Sequence, residues 1–527
     1  MRQYSFISRL KSLAVVFGMA LAFASCANED VPQNPTNPKE DNDKNLTTFV
    51  TGGETRTSLN YDSGDFYWEK DDYIYVKDDD GVLRKSTNAP TSKVAAFKYK
   101  VPGKFTANTS YKVYYFGKNS SNNQVVIPSA QSQSTPSNTE HFGVSGDYGT
   151  ATATGTLGGG SFSFELEHQA AYLVFHPHVS NTVLQNCYLT KIEVSSDNDI
   201  ASTYTLNAST GTLQSVSTGA ASDKEIILST KGSGAYANGF PLNTASDNVA
   251  INGAYMVIKP GTHTLKVRYW LKDVSTGTEG TVTKAFKAFN YDVNNYYDID
   301  GNLNIRDYDG NHYYQWDAQE QYWKGYEWTK HLAGNTGQPT QIFFRSSNYA
   351  QSNTDPRYWN ESYLGNGVST PATHTSCKDL PNANEMTWYA ANGEPRWDGD
   401  ELWTTMGHLY KGGIWFKKKA NISGYDPNTA VDGTDWRTTG NGNRGSWSVS
   451  RTLPSAADAG NYFYLPALGY YSTIGQLYGL GSAGLYWSSS GTPWADYGAY
   501  YLLFNSSNVN VDTNHRQHGF TVEPTFE

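Results

Sequence analysis

Three carboxylates crowd one short stretch of this 527-residue chain: Asp398, Asp400 and Glu401. Paired carboxylates can hydrolyse glycosidic bonds when one serves as acid and the other as base or nucleophile at a set separation. Adjacency in sequence does not set that separation. The simpler reading places them at a helix N-terminus, where the backbone dipole favours acids. His176 and His178 fall on one strand face, and His515 and His518 fit a turn. Zinc would need further ligands, and no Cys lies near either pair, so the imidazoles read as structural. Asp298, Asp300, Asp307 and Asp309, with Gly301 and Gly310, offer oxygens of the kind calcium takes. A polar linker between domains is the simpler reading. Cys377 has only Lys378 as a basic neighbour. No set completes a catalytic arrangement, so the expectation is a non-enzyme without cofactor or metal.

The elements that would position these residues are mostly strands. Tyr (39) and Gly (49) are abundant and helix formers sparse, a mixture that favours strands and turns. Leu265, Val267, Tyr269 and Leu271 alternate with Lys266, Arg268, Trp270 and Lys272, and Phe162, Phe164 and Leu166 alternate with polar neighbours. One face of each strand should pack and the other meet water, as in antiparallel sandwiches. Residues 73–76, the Asp80-Gly81 dipeptide and Val82-Leu83 read as a hairpin. The chain changes character near Asp307, since twelve of its fourteen Trp lie between Trp316 and Trp494. Leu402, Trp403, Met406, Leu409 and Tyr410 recur at helical spacing before Gly412-Gly413, and 382–389 is a second helical candidate followed by Gly393. The first part therefore reads as all-β and the last as a compact α+β domain.

A net charge of −10 without a basic stripe excludes nucleic acid as a partner. The run Lys417-Lys418-Lys419 reads as a solvated loop or helix end. Arg2, Arg9 and Lys11 precede an apolar run from Leu13 to Phe23, then Ala24-Ser25. That order predicts a secretory signal peptide, too short in its apolar part to span a bilayer. Cys26 follows at once, and this succession resembles the lipobox of bacterial lipoproteins, in which the thiol is acylated. Glu29 and Asp30 resemble the export signal that carries lipoproteins of Bacteroidetes-type bacteria to the outer face of the outer membrane. Residues 31–44 have almost nothing apolar and read as a solvated tether. Cys187 and Cys377 lie far apart, so no disulfide framework is expected.

Thr55-Arg56-Thr57-Ser58-Leu59, followed by Phe66-Tyr67-Trp68-Glu69-Lys70-Asp71-Asp72-Tyr73, resembles the start of a fimbrillin-family pilin. The block from Leu166 to Phe175 is similar to the opening of that family's second sandwich, and Asn290 to Ile299 to its close. The resemblance implies two transthyretin-like antiparallel β-sandwiches, export as a lipoprotein and assembly into surface pili. Further on, Phe463 to Tyr470, Leu485-Tyr486-Trp487-Ser488-Ser489-Ser490, Ala499 to Phe504 and Arg516 to Val522 follow in order. This succession looks like the major paralogous domain first noted in Fibrobacter, which implies a C-type-lectin-like fold. Calcium-dependent lectins carry Glu-Pro-Asn and Trp-Asn-Asp strings. Here Glu394-Pro395-Arg396 and Trp487-Ser488-Ser489 stand nearest, with a cation and two hydroxyls in place of the ligands.

The expected organisation is a signal peptide over 1–25, a lipidated tether over 26–45, sandwiches over 46–165 and 166–305, and the aromatic-rich lectin-like domain over 306–527. The expected role is a minor or tip pilin that adheres through its last domain to an extracellular ligand such as a glycan or host matrix. Other pilin subunits would join it by β-strand addition, and the lipid would hold it to the outer membrane. In such pilins a protease removes the first strand after a basic residue; Arg56 stands at that place, or is simply a solvent-facing strand residue. Trp494, Asp496 and Tyr497, in a turn-like stretch, are the candidate recognition rim, whereas Tyr486 and Trp487 read as core. The terminal segment, with Pro524, reads as the domain's own last strand, leaving none to donate. The alternative is an anchored glycan-binding lipoprotein that never joins a pilus.

Overall fold

The computed structural model describes residues 2–5, 45–51, 58–59, 61, 66–118, 123–207, 210–216, 219–308, 311–326, 348–405, 407–439, 442–522 and 526–527. Cys26, Glu29, Asp30, Arg56, Asp309 and Pro524 lie outside them. Strand takes 42% and helix 7%, so the chain is mainly β. Among the described residues no helix is long and apolar enough to cross a membrane.

The first sheet runs Leu83–Lys85, Tyr75–Lys77, Ser110–Tyr115, Gly149–Gly155, Ser161–Phe164, Leu46–Thr51, Lys98–Pro102. Its two ends approach each other: the Thr87 N–H donates to the Lys100 carbonyl at 2.7 Å, and Asn88 bridges to Lys98 and Lys100. The sheet thus curls around Phe49, Trp68, Tyr99, Val113, Tyr115 and Phe162. The expected hairpin is present, with Tyr75–Lys77 paired to Leu83–Lys85 and Gly81 at φ +76° in its turn. Phe162 and Phe164 face inward while Ser161 and Ser163 stay exposed, as their alternation requires.

Next, two sheets face each other across the largest core. One holds Asn295–Asn302, Ala171–His178 and Ala254–Ile258, with Arg2–Ser5 antiparallel at the edge. Ala171–His178 runs parallel to Asn295–Asn302 and is buried on both faces, which explains the unbroken apolar lettering of residues 171–175. The facing sheet holds Ala130–Ser132, Glu225–Ser229, Cys187–Ser196, Leu265–Asp273 and Glu279–Ala285. Leu265, Val267, Tyr269 and Leu271 are all fully buried there, and each apolar side chain of this size stabilises by about 1.5–3 kcal/mol.

This facing sheet does not stop at Ala285. Thr281 pairs in parallel with Glu401, which adds Arg396–Thr405, His408–Lys417 and Tyr462–Pro466; with Phe240–Pro241 paired to Cys187–Ser196, the sheet has nine strands. A seven-stranded sheet holds Tyr313–Tyr314, Phe520–Thr521, Ala483–Gly491, Gly498–Asn505, Asn508–His515 and Gly445–Ser448, with Thr370–Pro371 on Ala483–Gly491. The helix Ala383–Asn392 packs on it. Its start is a capping box: Asn382 accepts from the N–H groups of Asn384 and Glu385, and Glu385 accepts from the Asn382 N–H. Gly393 ends it, as the sequence predicts.

The other predicted helix is absent. Residues 402–405 and 408–410 form the ends of a hairpin, Arg396–Thr405 against His408–Lys417, with Gly407 at φ +80° in the turn; Met406 lies outside the described residues. The chain reversal brings Trp403 and Tyr410 into stacked contact 5.2 Å apart, which spacing alone had assigned to a helix face. Gly413 is no helix stop either. A Cβ there would lie 2.4 Å from the Leu465 carbonyl oxygen and the Tyr464 hydroxyl, so only glycine admits the neighbouring strand. Asp398, Asp400 and Glu401 consequently sit on a strand with a register shift, not at a helix N-terminus.

Candidate functional site

The turn between Ala483–Gly491 and Gly498–Asn505 carries the three candidate rim residues, Trp494, Asp496 and Tyr497. Thr492 closes the turn: its N–H donates to the Gly498 carbonyl, and its hydroxyl to the Ala495 carbonyl at 2.8 Å. Trp494 is half-buried, edge-on to Tyr500 at 5.8 Å. Asp496 is exposed, and Tyr497 is 53% exposed and stacked on His515 at 5.2 Å. The turn therefore offers one carboxylate and two ring surfaces to solvent.

Arg516 fixes this turn from beneath. Its guanidinium is fully buried, 4.2 Å from the centre of the Trp316 ring, and donates to the carbonyls of Gly498, Asn360 and Ser362. Burial pushes its pKa down to about 10. Tyr486 and Trp487 are fully buried, as expected, and the Ser488 hydroxyl is buried too, donating to the Tyr500 carbonyl. The Trp487-Ser488 pair is thus committed to the core.

A second polar site lies where the second core meets the last domain, and it joins residues the sequence kept apart. Arg268 Nη2 donates to Asp398 Oδ1 at 3.1 Å and to Thr281 Oγ1 at 3.1 Å. Thr281 Oγ1 in turn donates to Glu401 at 2.9 Å. Glu401 also accepts from the Thr283 N–H and hydroxyl, at 2.8 and 2.6 Å. Asp398 accepts from Trp415 Nε1 at 3.2 Å. Burial, then the Asp398 charge, push the Glu401 carboxyl up to about 7. Both carboxylates are occupied by these donors.

The remaining chemical candidates are held by structural partners. His176 lies between Asp247, 2.7 Å from Nδ1, and Asp298, 2.9 Å from Nε2. Burial lowers its pKa, but the Asp298 and Asp247 carboxylates outweigh it and raise the net value. The Tyr61 hydroxyl donates to the same Asp298 at 3.0 Å. His178 Nδ1 lies 2.9 Å from the His176 carbonyl, and His518 Nδ1 lies 3.0 Å from the His515 carbonyl. Asp300 accepts from the Asn302 N–H, and Asp307 from the Thr404 hydroxyl. Among the described residues no three His, Cys, Asp or Glu side chains gather to hold a metal ion. Glu394 accepts from Lys417, Arg396 and Tyr462, which hold its carboxyl down at about 2. Cys187 and Cys377 are separate buried thiols, each pushed up to about 12 by burial.

No family model matches the chain, and no curated protein matches it. Solved structures do resemble it. A candidate cell adhesion protein from Bacteroides ovatus is 14% identical, covers 48% of this chain and 91% of its own length, and gives a TM-score of 0.32. A fimbrial protein from the same organism is 12% identical, covers 90% of this chain and 98% of its own, and gives 0.22. The fimbrial anchor protein from Porphyromonas gingivalis is 14% identical over 45% of this chain and 82% of its own, with a TM-score of 0.23.

Proposed function

We propose that the chain is a fimbrillin-type surface lipoprotein: a minor or tip pilin, built of two transthyretin-like sandwiches and a lectin-like adhesive domain. The observation that bears on strand donation is the state of the strand Phe520–Thr521. It lies between Tyr313–Tyr314 and Ala483–Gly491, and both its residues are fully buried. Donating it to a neighbour would unpair those strands and empty the centre of the domain. The chain's acceptor side is different in kind. Leu46–Thr51 lies inside its sheet between Ser161–Phe164 and Lys98–Pro102, so cleavage after Arg56 would free it and leave an open groove for another subunit's strand.

In this reading residues 1–25 are removed, which takes away the Arg2–Ser5 edge strand and bares the edge of Asn295–Asn302, and Cys26 is acylated and carried to the outer face of the outer membrane by Glu29 and Asp30. Trp494, Asp496 and Tyr497 contact the extracellular ligand. Filaments sheared from cells and sequenced from the N-terminus test the proposal. A mature chain beginning at Thr57 in the filament fraction is the expected result. Recovery solely from the membrane, beginning at acylated Cys26, would replace it with the anchored glycan-binding lipoprotein.

A further inference from the structure

Lys266 and Arg268 are two residues apart on Leu265–Asp273, so both side chains leave the same face of the strand. That face points away from the core built on Leu265, Val267 and Tyr269. Water does not cover it. The hairpin of Arg396–Thr405 and His408–Lys417 and the segment around Pro454 roof it, and leave Lys266 9% and Arg268 7% exposed. Beneath the roof is a cavity of about 240 Å³ whose walls include Lys266, Arg268, Asp398, Trp415, Pro454 and Tyr462.

The charges around this cavity do not balance evenly. Arg268 is offset by Asp398 at 3.1 Å and Glu193 at 3.9 Å, and Lys418 by Glu527 at 2.6 Å. Lys266 has no such partner among the described residues. Its ammonium makes one hydrogen bond, to the Pro454 carbonyl at 2.7 Å, and carries three hydrogens. A buried charge left without a counter-ion is costly, and proteins keep few of them. Arg268 Nε is also buried with no hydrogen-bond partner. Arg268 Nε and the remaining hydrogens of the Lys266 ammonium, which Glu193, Asp398 and Glu225 attract from beyond ion-pair distance, are donors that an anion could meet.

The walls narrow what carries that anion. Trp415 and Tyr462 supply ring surfaces, and Leu453 and Pro454 apolar edges, that suit the C–H face of a sugar ring. The Thr283 hydroxyl, also in the wall, gives its proton to Glu401 and can accept a hydrogen bond from a ring hydroxyl. The volume falls below the roughly 300 Å³ at which pockets for drug-sized ligands begin. It suits one ring, not a long stretch of polymer.

We propose that this cavity binds the carboxylate-bearing ring of an acidic sugar, a hexuronate unit of a polysaccharide, with the carboxylate on Lys266. The site is separate from the Trp494 rim, and it extends the adhesin reading by naming a ligand class. Its failure is distinguishable from that reading's, because sugar binding is measured on the purified chain and pilus membership on cells.

Calorimetric titration of the full-length chain with galacturonate and glucuronate, against galactose and glucose, tests it. The acids should bind and the neutral sugars should not. Lys266→Met should weaken hexuronate binding on the order of tenfold to a hundredfold, the worth of one hydrogen bond to a charged group. It should keep or raise the thermal midpoint, since a methionine removes the unpaired charge. Should Lys266→Met fail to fold, Lys266→Gln retains a donor and removes the charge, and should show the same selective loss. No heat from either acid at millimolar concentration, equal binding by the neutral sugars, or undiminished binding by folded variants would overturn the proposal. Binding of N-acetylglutamate as tight as that of the hexuronates would assign the cavity to an acidic peptide and overturn it too.

Discussion

Arg268 and Asp398 lie 130 residues apart in sequence and 3.1 Å apart in space, both buried, each on a different side of the seam where one sheet passes from the second core into the last domain. The pair ties the proposed recognition domain to the sandwich that would carry it. At this seam the second core and Arg396–Thr405 are joined by one parallel bridge, Thr281 to Glu401, and by this ion pair.

Removing one partner should therefore be expensive. Asp398→Ala leaves the Arg268 guanidinium buried against Glu193 alone and should destabilise the full chain by about 3–5 kcal/mol. The double variant Arg268→Met/Asp398→Leu should lose much less, because no charge is stranded. Denaturant unfolding of the three proteins measures the difference. Equal losses for the single and double variants would mean the pair contributes through packing alone.

Glu401 makes the same seam sensitive to pH. Its carboxyl is held above the ordinary value, up to about 7, by burial and then by the Asp398 charge. A carboxyl whose folded pKa is raised binds protons more tightly in the folded state. Its contribution is thus fully present below the unfolded pKa of about 4.5 and is lost as pH rises through the folded value. Stability should fall between about pH 4.5 and 7 by an amount that Glu401→Gln removes. Thermal midpoints of both proteins across that window give the answer, and parallel pH curves would sink this assignment.

The lipid anchor has its own test. Cys26→Ser should abolish incorporation of a clickable fatty acid and release the protein from the outer membrane. Changing Glu29 and Asp30 together to Ala should keep the label and shield the protein from protease added to intact cells. Persistent labelling of the serine variant would remove Cys26 as the acylation site.

The sequence exposed the strands whose pattern is local. The inward face of Leu265–Asp273, the hairpin at Gly81 and the capping box at Asn382 follow from neighbours a few residues away. Its failures are non-local. Lys266 and Arg268 read as a water-facing row, because nothing nearby in sequence announces that a hairpin 130 residues later will cover them. The 402–410 segment matched helical spacing because a tight reversal also returns aromatic residues to one side. Thr404-Thr405 with Gly407, β-branched residues before a turn glycine, and Ile414-Trp415-Phe416 beyond were the signals for a hairpin. The rim at Trp494 was legible as a turn between two motif strands, but its support by Arg516 was not, since that contact joins residues 360, 362 and 498 around one buried cation.

The proposal comes down to a terminal subunit that keeps Phe520–Thr521 within its own sheet and turns residues 306–527 outward. Immunogold labelling of intact cells with antibody against residues 306–527 tests it most directly. One gold particle at the distal end of each filament is the expected result. Regular labelling along the filament shaft would contradict it.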